Sequence, residues 1–75
     1  MCGIIGINSN KQVTASIINS LKKLEYRGYD SAGLATLSNG SINEIKTEGR
    51  VYKIEKSLLL QNIEGSIGIG HVRWA

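Results

Sequence analysis

The chain opens with a short apolar run, Cys2 to Ile7, that follows Met1 and constrains the fold more than any other segment. β-branched residues punctuated by glycine are typical of a buried β-strand. The run therefore predicts a strand over residues 2–7 that begins at the chain terminus. Such a strand needs hydrogen-bonding neighbours, which later parts of the sequence must supply.

The position of Cys2 also suggests chemistry. If Met1 is removed, a thiol and a free α-amino group stand on the same residue. A thiol titrates near about 8.5 and an α-amino group near about 7.7–8.0, so near neutral pH part of the amine can accept a proton. N-terminal nucleophiles are one known means of activating cysteine. The alternative is that a small second residue only permits removal of Met1, and that the thiol is then buried as a small hydrophobic group.

The composition indicates one small domain. The chain has 75 residues, of which 41% are hydrophobic, and it has one cysteine. A domain of this size buries only about 60% of its unfolded surface, and neither a disulfide nor a Cys/His metal cluster is available to stabilise it. We therefore expect no metal and no cofactor. The free thiol and the lack of a signal peptide indicate a cytoplasmic protein.

The charge and hydropathy patterns argue against two classes of partner. The net charge is +3, and the basic residues are scattered, with Lys22 and Lys23 as the only adjacent pair. Because no basic stripe with interleaved aromatic residues is present, we expect no binding to nucleic acid. No apolar run approaches the roughly 18–20 residues that span a membrane, so we expect no membrane partner.

Hydrophobic periodicity predicts the order strand, helix, hairpin, helix, strand, which is typical of an α+β fold. Asn39-Gly40 is a strong signal for a two-residue hairpin. Ile42 and Ile45, three residues apart, predict a bulge or an early end in the returning strand. The predicted elements are a helix over 13–24 that stops by Gly28, strands over 33–38 and 41–47, a helix over 50–61, and a strand over 67–72.

Three motifs carry a resemblance to a known family. They are Met-Cys-Gly-Ile-Ile-Gly-Ile at residues 1–7, Leu-Glu-Tyr-Arg-Gly-Tyr-Asp-Ser-Ala-Gly at residues 24–33, and Gly-His-Val-Arg-Trp-Ala at residues 70–75. In this order and spacing they resemble the start of the glutamine–fructose-6-phosphate aminotransferases, also called glucosamine-6-phosphate synthases. The first motif is shared in outline by all class II glutamine amidotransferases, whereas the middle motif distinguishes this family from its sister families.

The resemblance implies an N-terminal-nucleophile hydrolase fold, an αββα sandwich in which two stacked antiparallel sheets lie between helical layers. Residues 1–75 would be an incomplete N-terminal portion of the glutaminase domain, namely its first strand-helix-hairpin-helix-strand portion. Cys2 would hydrolyse glutamine through a γ-glutamyl thioester. The ammonia would pass to the isomerase domain, which makes glucosamine 6-phosphate from fructose 6-phosphate. The implied partners are glutamine and the remainder of the synthase.

The resemblance also assigns substrate-binding residues. Arg73 would pair with the α-carboxylate of glutamine, a task that suits its planar, bidentate guanidinium. Trp74 would belong to the loop that closes over glutamine and gates ammonia transfer, and residues 26–33 would line the cleft near Cys2. The residues alone leave simpler alternatives open, with Arg73 as a solvated strand-end charge and Trp74 as a core side chain. His71 is not expected to act as the base, and we expect it to hydrogen-bond locally.

Two departures from the family pattern bear on function. Val72 stands where the family usually has Thr, so a hydroxyl beside the expected glutamine site is lost. The chain also ends at Ala75, before the family's Thr-His-Gly, its Asn-Gly oxyanion hole and its Asp for the substrate amino group, so we expect residues 1–75 alone to be inactive. Two other hypotheses stay open. One is a non-catalytic remnant or interaction module of a decayed or split gene, and the other is a different amidotransferase, against which residues 26–33 argue.

Overall fold

The computed structural model describes residues 2–58 and 61–74, apart from the side chain of Arg27. Its elements are strand β1 (Gly3–Asn8), helix α1 (Thr14–Leu24), a short 3₁₀ helix (Glu25–Arg27), strands β2 (Ser31–Ser38) and β3 (Ser41–Glu48), helix α2 (Tyr52–Leu58) and strand β4 (Ile67–Arg73). The predicted order of strand, helix, hairpin, helix and strand is confirmed. The 3₁₀ helix is an addition that periodicity did not predict.

The four strands form one antiparallel sheet in the order β1-β4-β2-β3. β4 lies between β1 and β2, with Gly3 paired to Val72 and Ser31 paired to Arg73. The start of β1, the end of β4 and the start of β2 therefore meet at one end of the sheet. The α+β class is confirmed. The described residues contribute one sheet, so the second sheet of an αββα sandwich stays a prediction.

Helix α1 packs closely on one face of this sheet, and its buried stripe is Ile17, Ile18 and Leu21. Gly68 and Gly70 in β4 permit the close approach, because a Cβ atom at these positions would lie 2.7 Å and 2.5 Å from atoms of Ile17. The alternating glycines of β4 are thus explained by helix packing. The rest of the buried hydrophobic core comes from the sheet, α2 and the connecting segments: Val13, Ala32, Leu34, Ile45, Val51, Ile54, Ile63 and Val72.

The hairpin between β2 and β3 forms at the predicted turn. Asn39 has a φ of 51° and Gly40 a φ of 79°, and a type I′ turn needs positive φ at both positions. The prediction of a bulge or an early end is wrong, because pairing continues without interruption along all eight residues of each strand. Ile42 and Ile45 are an odd number of residues apart, so they lie on opposite faces of a regular strand. Accordingly, Ile45 is buried and Ile42 is exposed.

Helix α2 is shorter than the predicted span of 50–61. It begins at Tyr52 and its bounds end at Leu58; residues 59 and 60 lie outside the described part of the chain. Two apolar residues of the predicted span, Val51 and Ile54, are fully buried, although Val51 precedes the helix. Within residues 2–58 and 61–74, neither helix is long and apolar enough to cross a membrane.

The face of the sheet opposite the helices, called here the open face, carries exposed apolar side chains. Ile4 is the most exposed of them, at 80%. A contiguous apolar group on a surface marks an interaction site more often than scattered single residues do. The exposed apolar residues of the open face are Ile4, Leu37, Ile42, Ile67 and Ile69.

Candidate functional site

The three candidate site residues converge at one end of the sheet. Cys2 immediately precedes β1, Arg73 ends β4, and Trp74 follows it. Because Gly3 pairs with Val72, Cys2 and Arg73 are the next positions on two neighbouring strands. Alternation along each strand places both side chains on the open face, since Cys2 is two residues from Ile4 and Arg73 is four from Ile69.

The Cys2 thiol is free and exposed. Its sulfur lies 3.9 Å from the backbone oxygen of Trp74, within the range of a weak S–H···O hydrogen bond. The alternative that this thiol is buried as a small hydrophobic group is therefore wrong. An exposed thiol just before the start of a strand is accessible to a substrate at this end of the sheet.

The guanidinium of Arg73 is exposed at the same end of the sheet. In the part of the chain that the structure describes, the one ion pair joins Lys22 and Glu55. Arg73 therefore has no carboxylate partner among those residues. Its backbone is fixed instead, because its carbonyl oxygen accepts a hydrogen bond from the Asp30 N–H at 2.7 Å. A held backbone and an unneutralised guanidinium suit the binding of a ligand carboxylate.

Trp74 is not a core side chain, since 54% of it is exposed. Its indole instead packs against Gly28, where a Cβ atom would lie 2.9 Å from the indole Cγ. Gly28 has a φ of +122°, which side-chain-bearing residues rarely adopt. From the sequence, Gly28 ends the first helical region and lies within residues 26–33, which are expected to line the cleft near Cys2. Its contact with Trp74 is a finding of the structure.

The segment from Glu25 to Asp30 is attached to the turn that precedes α2. The Val51 N–H donates to the Glu25 carboxylate at 2.9 Å, and the Gly49 N–H donates to the Asp30 carbonyl at 2.7 Å. The guanidinium of Arg50 lies 4.3 Å from the centre of the Tyr29 ring. A hydrogen bond with Tyr29, together with a favourable electrostatic interaction between the two side chains, raises the pKa of Arg50 above its usual value.

Two expectations for β4 are wrong. The Val72 side chain does not share a face of the sheet with those of Cys2 and Arg73, because it is 1% exposed and belongs to the core on the helical side. The hydroxyl of the family's usual Thr would therefore lie on the opposite face of the sheet from the candidate site. The His71 side chain makes no hydrogen bond within the part of the chain that the structure describes. Its ring packs over Gly33, in the space that a side chain there would fill.

A separate cleft of about 510 Å³ lies on the helical side of the molecule. Its lining includes Thr14, Ile18, Glu55 and Ile63 but none of the three candidate site residues. Cavity size alone would favour this cleft. The exposed Cys2 thiol and the Arg73 guanidinium, which has no carboxylate partner among the described residues, favour the sheet end. Among the described residues, no group of three or more His, Cys, Asp or Glu side chains could hold a metal ion.

Comparison with known proteins identifies relatives over the whole chain. All 75 residues align at 53% identity with the glutamine–fructose-6-phosphate aminotransferase (isomerizing) of Brucella abortus biovar 1. The chain is homologous to the N-terminal segment of glutamine–fructose-6-phosphate aminotransferases. The enzymes of that name from Clostridium acetobutylicum and Mesorhizobium japonicum are 51% and 49% identical over the same 75 residues. The chain spans 12% of the length of each of these aminotransferases. No family model matches it.

Proposed function

We propose that this chain is the first part of the glutaminase domain of a glutamine–fructose-6-phosphate aminotransferase, with Cys2 as its nucleophile. The observation that carries the proposal is the meeting, at one end of the sheet and on one face, of an exposed Cys2 thiol and an Arg73 guanidinium that has no carboxylate partner among the described residues. The sequence relationship supports the same reading, since the relatives are named for glutamine and fructose 6-phosphate.

The first chemical step is attack of the Cys2 sulfur on the γ-amide carbon of glutamine. After removal of Met1, the α-amine of Cys2 takes the thiol proton as the C–S bond forms. The resulting tetrahedral intermediate collapses, the C–N bond breaks, and the same proton passes to the leaving nitrogen. The products of this step are ammonia and a γ-glutamyl thioester on Cys2.

The second step regenerates the enzyme. Water attacks the thioester carbonyl, the C–S bond breaks, and glutamate leaves while the thiol recovers its proton. During both steps the guanidinium of Arg73 holds the α-carboxylate of glutamine through paired hydrogen bonds. Trp74, the next residue, covers the bound glutamine. The family pattern places the oxyanion donors beyond residue 75, so we predict that residues 1–75 alone give no measurable turnover.

The open face supports the finer fold proposal. In an αββα sandwich a second sheet covers this face, and the exposed apolar residues there, Ile4 and Ile69 among them, are those that such a sheet would bury. Residues 1–75 would then supply one sheet and its helical layer. The remainder of the glutaminase domain and the isomerase domain would be the partners. A cytoplasmic location fits this role.

A chimera tests the proposed function. In it, this chain replaces the matching N-terminal segment of the Clostridium acetobutylicum relative, which is 51% identical. We expect the chimera to release glutamate from glutamine, and we expect Cys2→Ala to lower that rate by more than about 10³-fold. Unchanged thermal stability of the Cys2→Ala variant would exclude misfolding as the cause. A folded chimera that hydrolyses no glutamine would instead favour the non-catalytic interaction module.

A further inference from the structure

We infer that Gly28 is a positioning residue that seats the Trp74 indole, and that the segment Gly28–Asp30 holds Arg73 and Trp74 ready for glutamine. The inference rests on the proposed function, because it concerns the two residues assigned to the substrate. It goes beyond that function in naming what fixes them before the substrate arrives.

The first contact is between Gly28 and the indole itself. A Cβ atom at position 28 would lie 2.9 Å from Cγ and 3.0 Å from both Cδ1 and Cδ2 of Trp74. These three atoms belong to the five-membered part of the indole, so the ring lies directly on the glycine. Any side chain at position 28 would have to displace the ring, because the approach is closer than van der Waals contact allows.

The second contact fixes the backbone of the same residues. The Asp30 N–H donates to the Arg73 carbonyl at 2.7 Å, one residue before the pair Ser31–Arg73 that ends the ladder between β2 and β4. On the other side, the Cys2 thiol lies 3.9 Å from the Trp74 carbonyl oxygen. Each carbonyl group therefore accepts from a residue that immediately precedes a neighbouring strand, Asp30 before β2 and Cys2 before β1. The exposed guanidinium of Arg73 takes no part in this attachment.

The Gly28–Asp30 segment also contacts the turn that precedes α2. Its Asp30 carbonyl accepts from the Gly49 N–H at 2.7 Å, and the Arg50 guanidinium lies over the Tyr29 ring. Displacement of the segment would break these contacts together. Groups fixed in their binding geometry lose less conformational freedom when the ligand binds. The arrangement should therefore lower the KM for glutamine more than it raises kcat.

The kinetic test uses Gly28→Ala in the chimera, with Gly40→Ala as the matched control. Both glycines have positive φ, at 122° and 79°, but a Cβ atom at position 40 has nothing within 4 Å. We expect Gly28→Ala to raise the KM for glutamine on the order of tenfold or more with a smaller change in kcat. Gly40→Ala should leave both constants unchanged. Equal KM values for the two variants would overturn the inference.

A second variant and a second readout keep the test decisive. Arg50→Gln removes the contact with Tyr29 from an exposed site, and it should raise the same KM by a smaller factor. Trp74 is the only tryptophan of the chain. Its emission, taken in the chimera as the difference from the Trp74→Phe variant, should shift to longer wavelength in Gly28→Ala, whereas Gly40→Ala should leave it unchanged. An emission spectrum that Gly28→Ala leaves unchanged would refute the proposed packing of the Trp74 indole on Gly28. This readout does not depend on turnover, so an inactive chimera would contradict the proposed function alone.

Discussion

The carboxylate of Glu25 accepts a hydrogen bond from the backbone N–H of Val51 at 2.9 Å, which joins the end of the first helical region to the start of α2. The first N–H groups of a helix have no partner within the helix, so an acidic side chain from elsewhere in the fold satisfies one of them here. The same hydrogen bond connects the segment from Glu25 to Asp30, which contacts Trp74, to the core residue Val51.

Loss of this bond should lower the free energy of unfolding. We predict that Glu25→Ala costs about 1–3 kcal/mol, because the bond involves a charged acceptor and leaves the N–H of the buried Val51 unpaired. Glu25→Gln should cost less, since an amide oxygen still accepts. Urea unfolding of the chimera would measure both. Glu44→Ala, at an exposed position in β3, is the control and should change stability by no more than about 0.5 kcal/mol.

The packing of His71 over Gly33 makes a second prediction. A Cβ atom at position 33 would meet the imidazole at far less than van der Waals distance. Gly33→Ala should therefore destabilise the protein by about 1–3 kcal/mol, and His71→Ala should relieve most of that cost. Gly6→Ala is the matched control, because its new Cβ atom would lie 3.9 Å from Ile69. A cost that persists in the His71→Ala background would contradict this packing.

Local patterns predicted much of the fold. The Asn39-Gly40 turn and the first helix, predicted over 13–24, depend on residues close together in the sequence, and both predictions are confirmed. The bulge prediction failed because it assumed that Ile42 and Ile45 share a face, whereas Ile42 belongs to the open face and Ile45 to the core. Periodicity reports which residues are apolar but not which face of a sheet is covered.

The candidate site could be predicted only in part. The motifs identified Cys2, Arg73 and Trp74, but the pairing of β1 with β4 that brings them together joins segments far apart in the sequence. The contact between Gly28 and Trp74 likewise needs the complete sheet. The burial of Val72 depends on the register of β4, since a shift of one residue would move its side chain to the other face.

The buried position of Val72 makes a third prediction. Although the family usually has Thr there, Val72→Thr in the chimera should leave the KM for glutamine unchanged, because the side chain faces the core and not the open face. It should lower stability by about 1–3 kcal/mol if the new hydroxyl finds no partner. Glutaminase kinetics and thermal unfolding would be measured on the same sample. A changed KM with unchanged stability would place this side chain at the site.

The open face makes a fourth prediction for residues 1–75 produced alone. Its exposed apolar side chains and its unpaired strand edges should cause the polypeptide to self-associate. The double substitution Ile4→Lys with Ile42→Lys should reduce the association, because both side chains lie on that face. Ser41→Lys, at the exposed hairpin end, is the control. Sedimentation velocity would distinguish these cases, and a well-folded monomer of the unsubstituted chain would contradict the prediction.

The central claim is that Cys2 acts as a nucleophile whose base is its own α-amine. The direct test is covalent labelling of the chimera by a glutamine analogue that carries an electrophile at its γ position, followed by mass spectrometry. Two forms are compared, one with Met1 removed and one that retains it after expression with the methionine aminopeptidase inhibited. We predict rapid labelling of Cys2 in the processed form and little in the other, because Met1 locks the amine into an amide. Equal labelling of the two forms would contradict the mechanism.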